Sequence, residues 1–152
     1  MKKLFVFDLD FTLWNTGGIW VDCTHPPYVV NKGNIVDSSG RKMELYPDSI
    51  KILELLNELG CIVAIASRTE EPSWARQLIK LFEIEHFFHH MEIYPTSKLR
   101  HLSKIKEASG IDVEEMVFFD DEHRNIVDAR SMGIEAVLVH NGIDLTTVKQ
   151  YL

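Results

Sequence analysis

Apolar and polar positions fall in alternating blocks along the chain. Five blocks are short and largely apolar: Leu4–Phe7, Ile62–Ala66, His90–Tyr94, Met116–Phe119 and Ile134–Val139. Runs of this length without polar alternation suit strands covered on both faces. Between them apolar residues recur at helical spacing. Asp48–Leu59 carries Ile52, Leu53, Leu55, Leu56 and Leu59 and stops at Gly60. Glu71–Phe82 has Pro72 near its start, where proline is tolerated. Ser97–Ser109 shows Leu99, Leu102 and Ile105 before Gly110, and Glu122–Met132 ends at Gly133. Asp144 is placed to cap a last short helix running to Leu152.

Strand–helix alternation of this kind predicts an α/β fold: a doubly wound, Rossmann-like parallel sheet of about five strands in one domain spanning 1–152. Phe11 to Tyr46 breaks the pattern. Its extended pieces around turns at Asn31–Gly33 and Ser38–Gly40 predict a short β-hairpin flap after the first strand. Neither this insertion nor the stretch between Tyr94 and Met116 reads as a second domain.

In doubly wound folds ligands sit beyond the carboxyl ends of the strands. The first strand delivers Asp8 and Asp10, the second Ser67, Arg68 and Thr69, and the fourth Asp120 and Asp121. The third is followed by Lys98 at the start of a helix. Taken singly, a hydroxyl or carboxylate there is an ordinary helix cap. Together they are less ordinary. A lysine at a helix N-terminus opposes the helix dipole. Four aspartates converging on one sheet edge repel unless a cation lies among them, and oxygen-only ligands favour Mg²⁺. Metal, lysine and hydroxyl form a setting for a phosphoryl group, and a free aspartate there can attack phosphorus.

Composition and charge narrow the classes. The 152 residues are 45% hydrophobic and 26% charged, as in ordinary globular domains. Net charge is −7 with no basic stripe, which argues against nucleic acid as a partner. No apolar run approaches the length of a membrane-spanning helix, and the acidic first strand does not suit a signal peptide. Cys23 and Cys61 make no disulfide framework, so a cytoplasmic protein is expected. The closely spaced histidines of "HFFHH" lack acidic or cysteine partners for zinc, and His123 follows the acidic pair as a first-turn residue.

The segment "DLDFTLW" resembles the Asp-x-Asp-x-Thr motif of the haloacid dehalogenase superfamily of phosphatases. Ser67, Lys98 and Asp120–Asp121 match its other three motifs in order. "WVD" followed by "PPY", "LYP", "ASRT", "EIYPTSK" and "VFFDDEHRN" make the chain similar to the small, capless magnesium-dependent branch. The resemblance implies Asp8 as nucleophile and Asp10 as acid and then base, with Thr12 orienting Asp10. Ser67 and Lys98 would grip the phosphoryl group. Mg²⁺ would be held by Asp8, the Asp10 carbonyl and Asp121, with Asp120 supporting. Asp10 should carry a pKa raised by its acidic neighbours.

The expected substrates are phosphotyrosine-containing proteins and sugar phosphates, with Arg68, Trp14, Trp20 and Tyr28 as candidate leaving-group contacts. For Trp20 and Tyr28 packing of the flap is the competing reading. Small-metabolite phosphatases and phosphotransferases of the same superfamily are close alternatives. A receiver-like phospho-accepting domain would need an aspartate after the third strand, and none is there.

Overall fold

The computed structural model describes residues 1–152. Strand β1 (Leu4–Phe7) is followed by four short strands: β2 (Trp14–Asn15), β3 (Val29–Asn31), β4 (Asn34–Val36) and β5 (Lys42–Leu45). Helix α1 (Ser49–Glu58), β6 (Ile62–Ser67), α2 (Pro72–Leu81), β7 (His90–Ile93), α3 (Lys98–Ser109), β8 (Met116–Asp120), α4 (His123–Ser131), β9 (Glu135–Leu138) and α5 (Leu145–Lys149) then alternate. The main sheet has the order β7-β6-β1-β8-β9, and every pairing in it is parallel.

Side chains alternate across this sheet with period two. Phe5 and Phe7 of β1 point with Val63, Ile65, Val117 and Phe119 into a core shared with α1, α2 and α5. Leu4 and Val6 point the other way, with Ala64, Ala66, Met116 and Phe118, against α3 and α4. The first face is aromatic, with Phe7 and Phe119 stacked at 5.1 Å between ring centroids. The second carries alanines where α3 packs closely. All four residues of β1 are fully buried, so the central strand is a rigid mount for Asp8 and Asp10 beyond its end.

The flap is larger in structure than the hairpin expected. It is a four-stranded antiparallel sheet in the order β2-β5-β4-β3, with a 3₁₀ turn at Val21–Cys23. The expected hairpin, β3–β4, is one edge of it. Its turn uses Lys32 and Gly33, both with left-handed φ, as a two-residue hairpin requires. Strands of two to four residues are too short to show alternation, which is why β2 and β5 escape a reading of the pattern. Asp37 ties the flap together: its carboxylate accepts hydrogen bonds from the backbone N–H groups of His25, Ser39 and Arg41. No cap domain is present, and no helix is long and apolar enough to cross a membrane.

Candidate active site

The carboxyl ends of β1, β6 and β8 and the start of α3 meet at one edge of the main sheet. A cleft of about 400 Å³ opens there, lined by Asp8, Asp10, Ser67, Arg68, Lys98 and Asp121, with Trp20 and Asp22 from the flap. Each strand end therefore supplies its expected residue to one place. Asp120 lies beneath, fully buried.

Lys98 is fully buried, and its ammonium sits among acceptors. Nζ lies 3.1 Å from Asp8 Oδ1 and 3.2 Å from Asp120 Oδ2, and it also donates to the Ala66 carbonyl. The Phe118 ring lies 5.4 Å from it. These three acceptors match its three protons, and the two carboxylates outweigh the cost of burial, holding its pKa above the usual lysine value. Ser67 Oγ accepts from the Thr69 N–H at 3.3 Å, which leaves its own proton free to point into the cleft.

The acidic groups show the strain of crowding. Burial pushes the Asp8 carboxyl well up, Lys98 pulls it back, and Asp121 and Asp10 add repulsion. Asp121, half-buried, is also raised, chiefly by burial. Asp8, Asp120 and Asp121 each bring one oxygen within 4.8 Å of the others. Three hard oxygen donors around one point, with a single lysine against them, fit a divalent cation such as Mg²⁺. The three are not equivalent. Both oxygens of Asp120 are engaged, one by the Glu122 N–H (2.8 Å) and the other by Asn125 Nδ2 (3.0 Å) and Lys98. Burial raises its pKa to about 6, with repulsion from Asp8 next.

Asp10 is held differently from the expectation. Trp14 Nε1–H donates to Oδ1 at 2.7 Å, and the Val21 N–H donates to Oδ2 at 3.0 Å. Thr12 makes no side-chain contact of this kind: its Oγ1 is buried without a hydrogen-bond partner. Thr12 anchors the loop through its backbone, accepting from the Ile143 N–H at 2.9 Å. The Asp10 pKa is raised to about 6, as expected, but burial is the main cause; repulsion from Asp22 is a smaller effect.

Of the leaving-group candidates, Trp14 and Tyr28 are withdrawn by burial, at 0% and 4% exposure. The Tyr28 hydroxyl pairs with Thr24 Oγ1 instead. Trp20 is 50% exposed on the cleft wall, and Arg68 lines the cleft while donating to Asn125 Oδ1 at 3.1 Å. His123 is exposed and stands outside the cleft. His89 uses Nδ1 to accept from the Val63 N–H, a structural role for one histidine of the "HFFHH" run. Sequence reasoning missed Asn125, which is buried and links Asp120, Glu122 and Arg68. It also missed Val21 and gave Trp14 the wrong task.

Comparison with known proteins places the chain in a family. The acid phosphatase family model matches residues 1–152. The human protein named magnesium-dependent phosphatase 1 is 43% identical over 155 residues, covering 100% of this chain and 86% of its own. A HAD-like hydrolase superfamily protein of Schizosaccharomyces pombe is 38% identical, covering 81% of this chain and 77% of its own. Among solved structures, a haloacid dehalogenase-like family hydrolase from Streptococcus pneumoniae superposes with a TM-score of 0.70 at 17% identity, over 99% of this chain and 90% of that one. The phosphatase-containing N-terminal part of a Bacteroides fragilis protein, complexed with Mg, gives 0.63 at 18% identity, over 92% and 36%. The chain therefore belongs to the acid phosphatase family and is a phosphatase of the haloacid dehalogenase superfamily without a cap domain.

Proposed function

We propose that this chain is a Mg²⁺-dependent phosphomonoester hydrolase that works through an aspartyl phosphate on Asp8, on phosphotyrosine-containing proteins or sugar phosphates. The observation that carries the reading is the pairing of two unlike aspartates at the end of one buried strand. Asp8 faces Lys98 and Asp121 in the cleft, whereas Asp10 is gripped by two N–H donors and has a pKa of about 6. A nucleophile must be ionised and an acid must hold a proton: Lys98 pulls the Asp8 pKa down against burial, and a cation there would pull it further, whereas at Asp10 burial favours the protonated form and outweighs the two N–H donors.

In the first step an Asp8 oxygen forms a bond to phosphorus while the bond to the leaving oxygen breaks. Asp10 transfers its proton to that oxygen. In the second step water attacks the same phosphorus, Asp10 takes the water's proton, and the Asp8–phosphorus bond breaks to release phosphate. Ser67 donates to a phosphoryl oxygen, and Lys98 neutralises charge at the attacking carboxylate. Mg²⁺ would be held by Asp8, Asp121 and the Asp10 carbonyl; when bound it supplies positive charge beside the phosphoryl oxygens. Asp121 suits direct contact better than Asp120, whose oxygens are already occupied.

Nothing covers the cleft, so the leaving group projects outward between Trp20 and Arg68. An exposed indole can stack on a tyrosine ring or lie against a sugar, and an open mouth admits a protein segment. The test is hydrolysis of a panel of phosphotyrosine peptides and sugar phosphates, with and without Mg²⁺. Turnover that requires Mg²⁺ and disappears in Asp8→Asn is expected. Near wild-type hydrolysis by Asp8→Asn would overturn the nucleophile assignment.

A further inference from the structure

We infer that Trp14 is a positioning residue for the acid–base steps: its buried indole N–H fixes the direction of the Asp10 carboxyl. The inference rests on Asp10 being the general acid, as proposed above. Trp14 is fully buried and lies four residues beyond Asp10. A tight turn brings it back. The N–H groups of Thr12, Leu13 and Trp14 all converge on the Leu9 carbonyl, Phe11 takes a left-handed φ of 61°, and its N–H reaches the Trp14 carbonyl at 2.8 Å. The ring packs on Phe82, 5.9 Å between centroids, at the end of α2. The indole is thus fixed from behind by the core and aims its single donor at Oδ1, 2.7 Å away.

Packing alone would be met by phenylalanine. What the indole adds is a donor that never becomes an acceptor. With Trp14 on Oδ1 and the Val21 N–H on Oδ2, each oxygen of Asp10 holds one hydrogen bond and keeps a second lone-pair direction. The catalytic proton occupies one of these remaining directions. Because both donors remain donors whether Asp10 is protonated or ionised, the grip persists through both half-reactions. Without the indole only the Val21 N–H restrains the carboxyl about its last side-chain torsion, which is soft for aspartate. The acid is then present but badly aimed, and misaiming costs most when the leaving oxygen needs its proton most.

The experiment is kcat/KM for a series of ring-substituted phenyl phosphates, which differ in leaving-group basicity but share a shape. kcat/KM reports only steps through the first bond cleavage. Wild type, Trp14→Phe and Asp10→Asn are compared with Mg²⁺ present. Asp10→Asn should show a steep loss of rate with leaving-group basicity. Trp14→Phe should lie between: less than about twofold slower for p-nitrophenyl phosphate and about tenfold slower for the most basic leaving group, the factor given by about 1.4 kcal/mol. A Trp14→Phe slope equal to wild type beside a steep Asp10→Asn slope overturns the inference alone. An Asp10→Asn slope equal to wild type overturns the general-acid reading and the inference with it. Should Trp14→Phe not fold, replacing Trp14 by its benzothiophene analogue, in which sulfur stands in place of the N–H, gives the same measurement on a near-isosteric chain.

Discussion

Replacing Lys98 by methionine removes one charge and keeps the length of the side chain. The ammonium lies 3.1 Å from Asp8 and 3.2 Å from Asp120 and is fully buried. At those separations each pair attracts by about 5 kcal/mol at an effective dielectric constant of about 20, before desolvation is subtracted. Removing one member of such a cluster leaves two buried carboxylates and the Ala66 carbonyl without their donor, and losses of this kind run to about 3–5 kcal/mol. For a domain of this size that lowers Tm by roughly 6–20 °C. The assay is a thermal melt in EDTA, repeated in excess Mg²⁺. The cation is expected to restore part of the loss, because in the proposed site it would lie against Asp8, one of the two carboxylates that Lys98 compensates. A loss in EDTA below about 1 kcal/mol would refute the reasoning, since it would mean that the acids do not depend on Lys98 for compensation.

Three further outcomes are expected. His101 is fully buried, donates its Nε2–H to the Tyr94 carbonyl, and has a pKa lowered to about 4, chiefly by burial. Its unfolded form takes up a proton near pH 6.5 while the folded form does not, so stability falls as pH drops from about 6.5 to about 4, by about 2 kcal/mol between pH 7 and pH 5. Urea denaturation of His101→Leu should lack this component; an unchanged pH slope would contradict it. Asp37→Ala strips the acceptor from three backbone N–H groups of the flap, and chemical denaturation should show a loss of about 2 kcal/mol, against less than about 0.5 if those groups find water. Trp20→Ala should leave Tm nearly unchanged and shift the ratio of aryl to sugar phosphate hydrolysis; a drop in Tm with an unchanged ratio would make Trp20 a packing residue.

The main sheet was legible because its chemistry is local and repetitive. Leu4–Phe7 and Met116–Phe119 are apolar without interruption, and Gly60, Gly110 and Gly133 close the helices between strands. The expected and observed elements differ only at their ends, for example Ile134–Val139 against Glu135–Leu138. The strand-end residues were legible for the same reason, since the strands fix their places. What was hidden depends on the path of the chain in space. Val21 reaches Asp10 from eleven residues away by a backbone N–H, which no side chain announces. Trp14 lies near Asp10 in sequence, but only the turn with Phe11 at positive φ aims it inward rather than at a leaving group. The cause of the raised Asp10 pKa was misjudged similarly: counting acidic neighbours is possible from the sequence, whereas the degree of burial is not.

The central claim is that Asp8 carries the phosphoryl group between the two steps. Asp10→Asn, which should slow the second step, is mixed with p-nitrophenyl phosphate and Mg²⁺, quenched with borohydride and peptide-mapped by mass spectrometry. An aspartyl phosphate is reduced to homoserine, and homoserine at position 8 is the result predicted. Release of p-nitrophenol with no homoserine at position 8, or with the reduced residue at position 120 or 121, would contradict it.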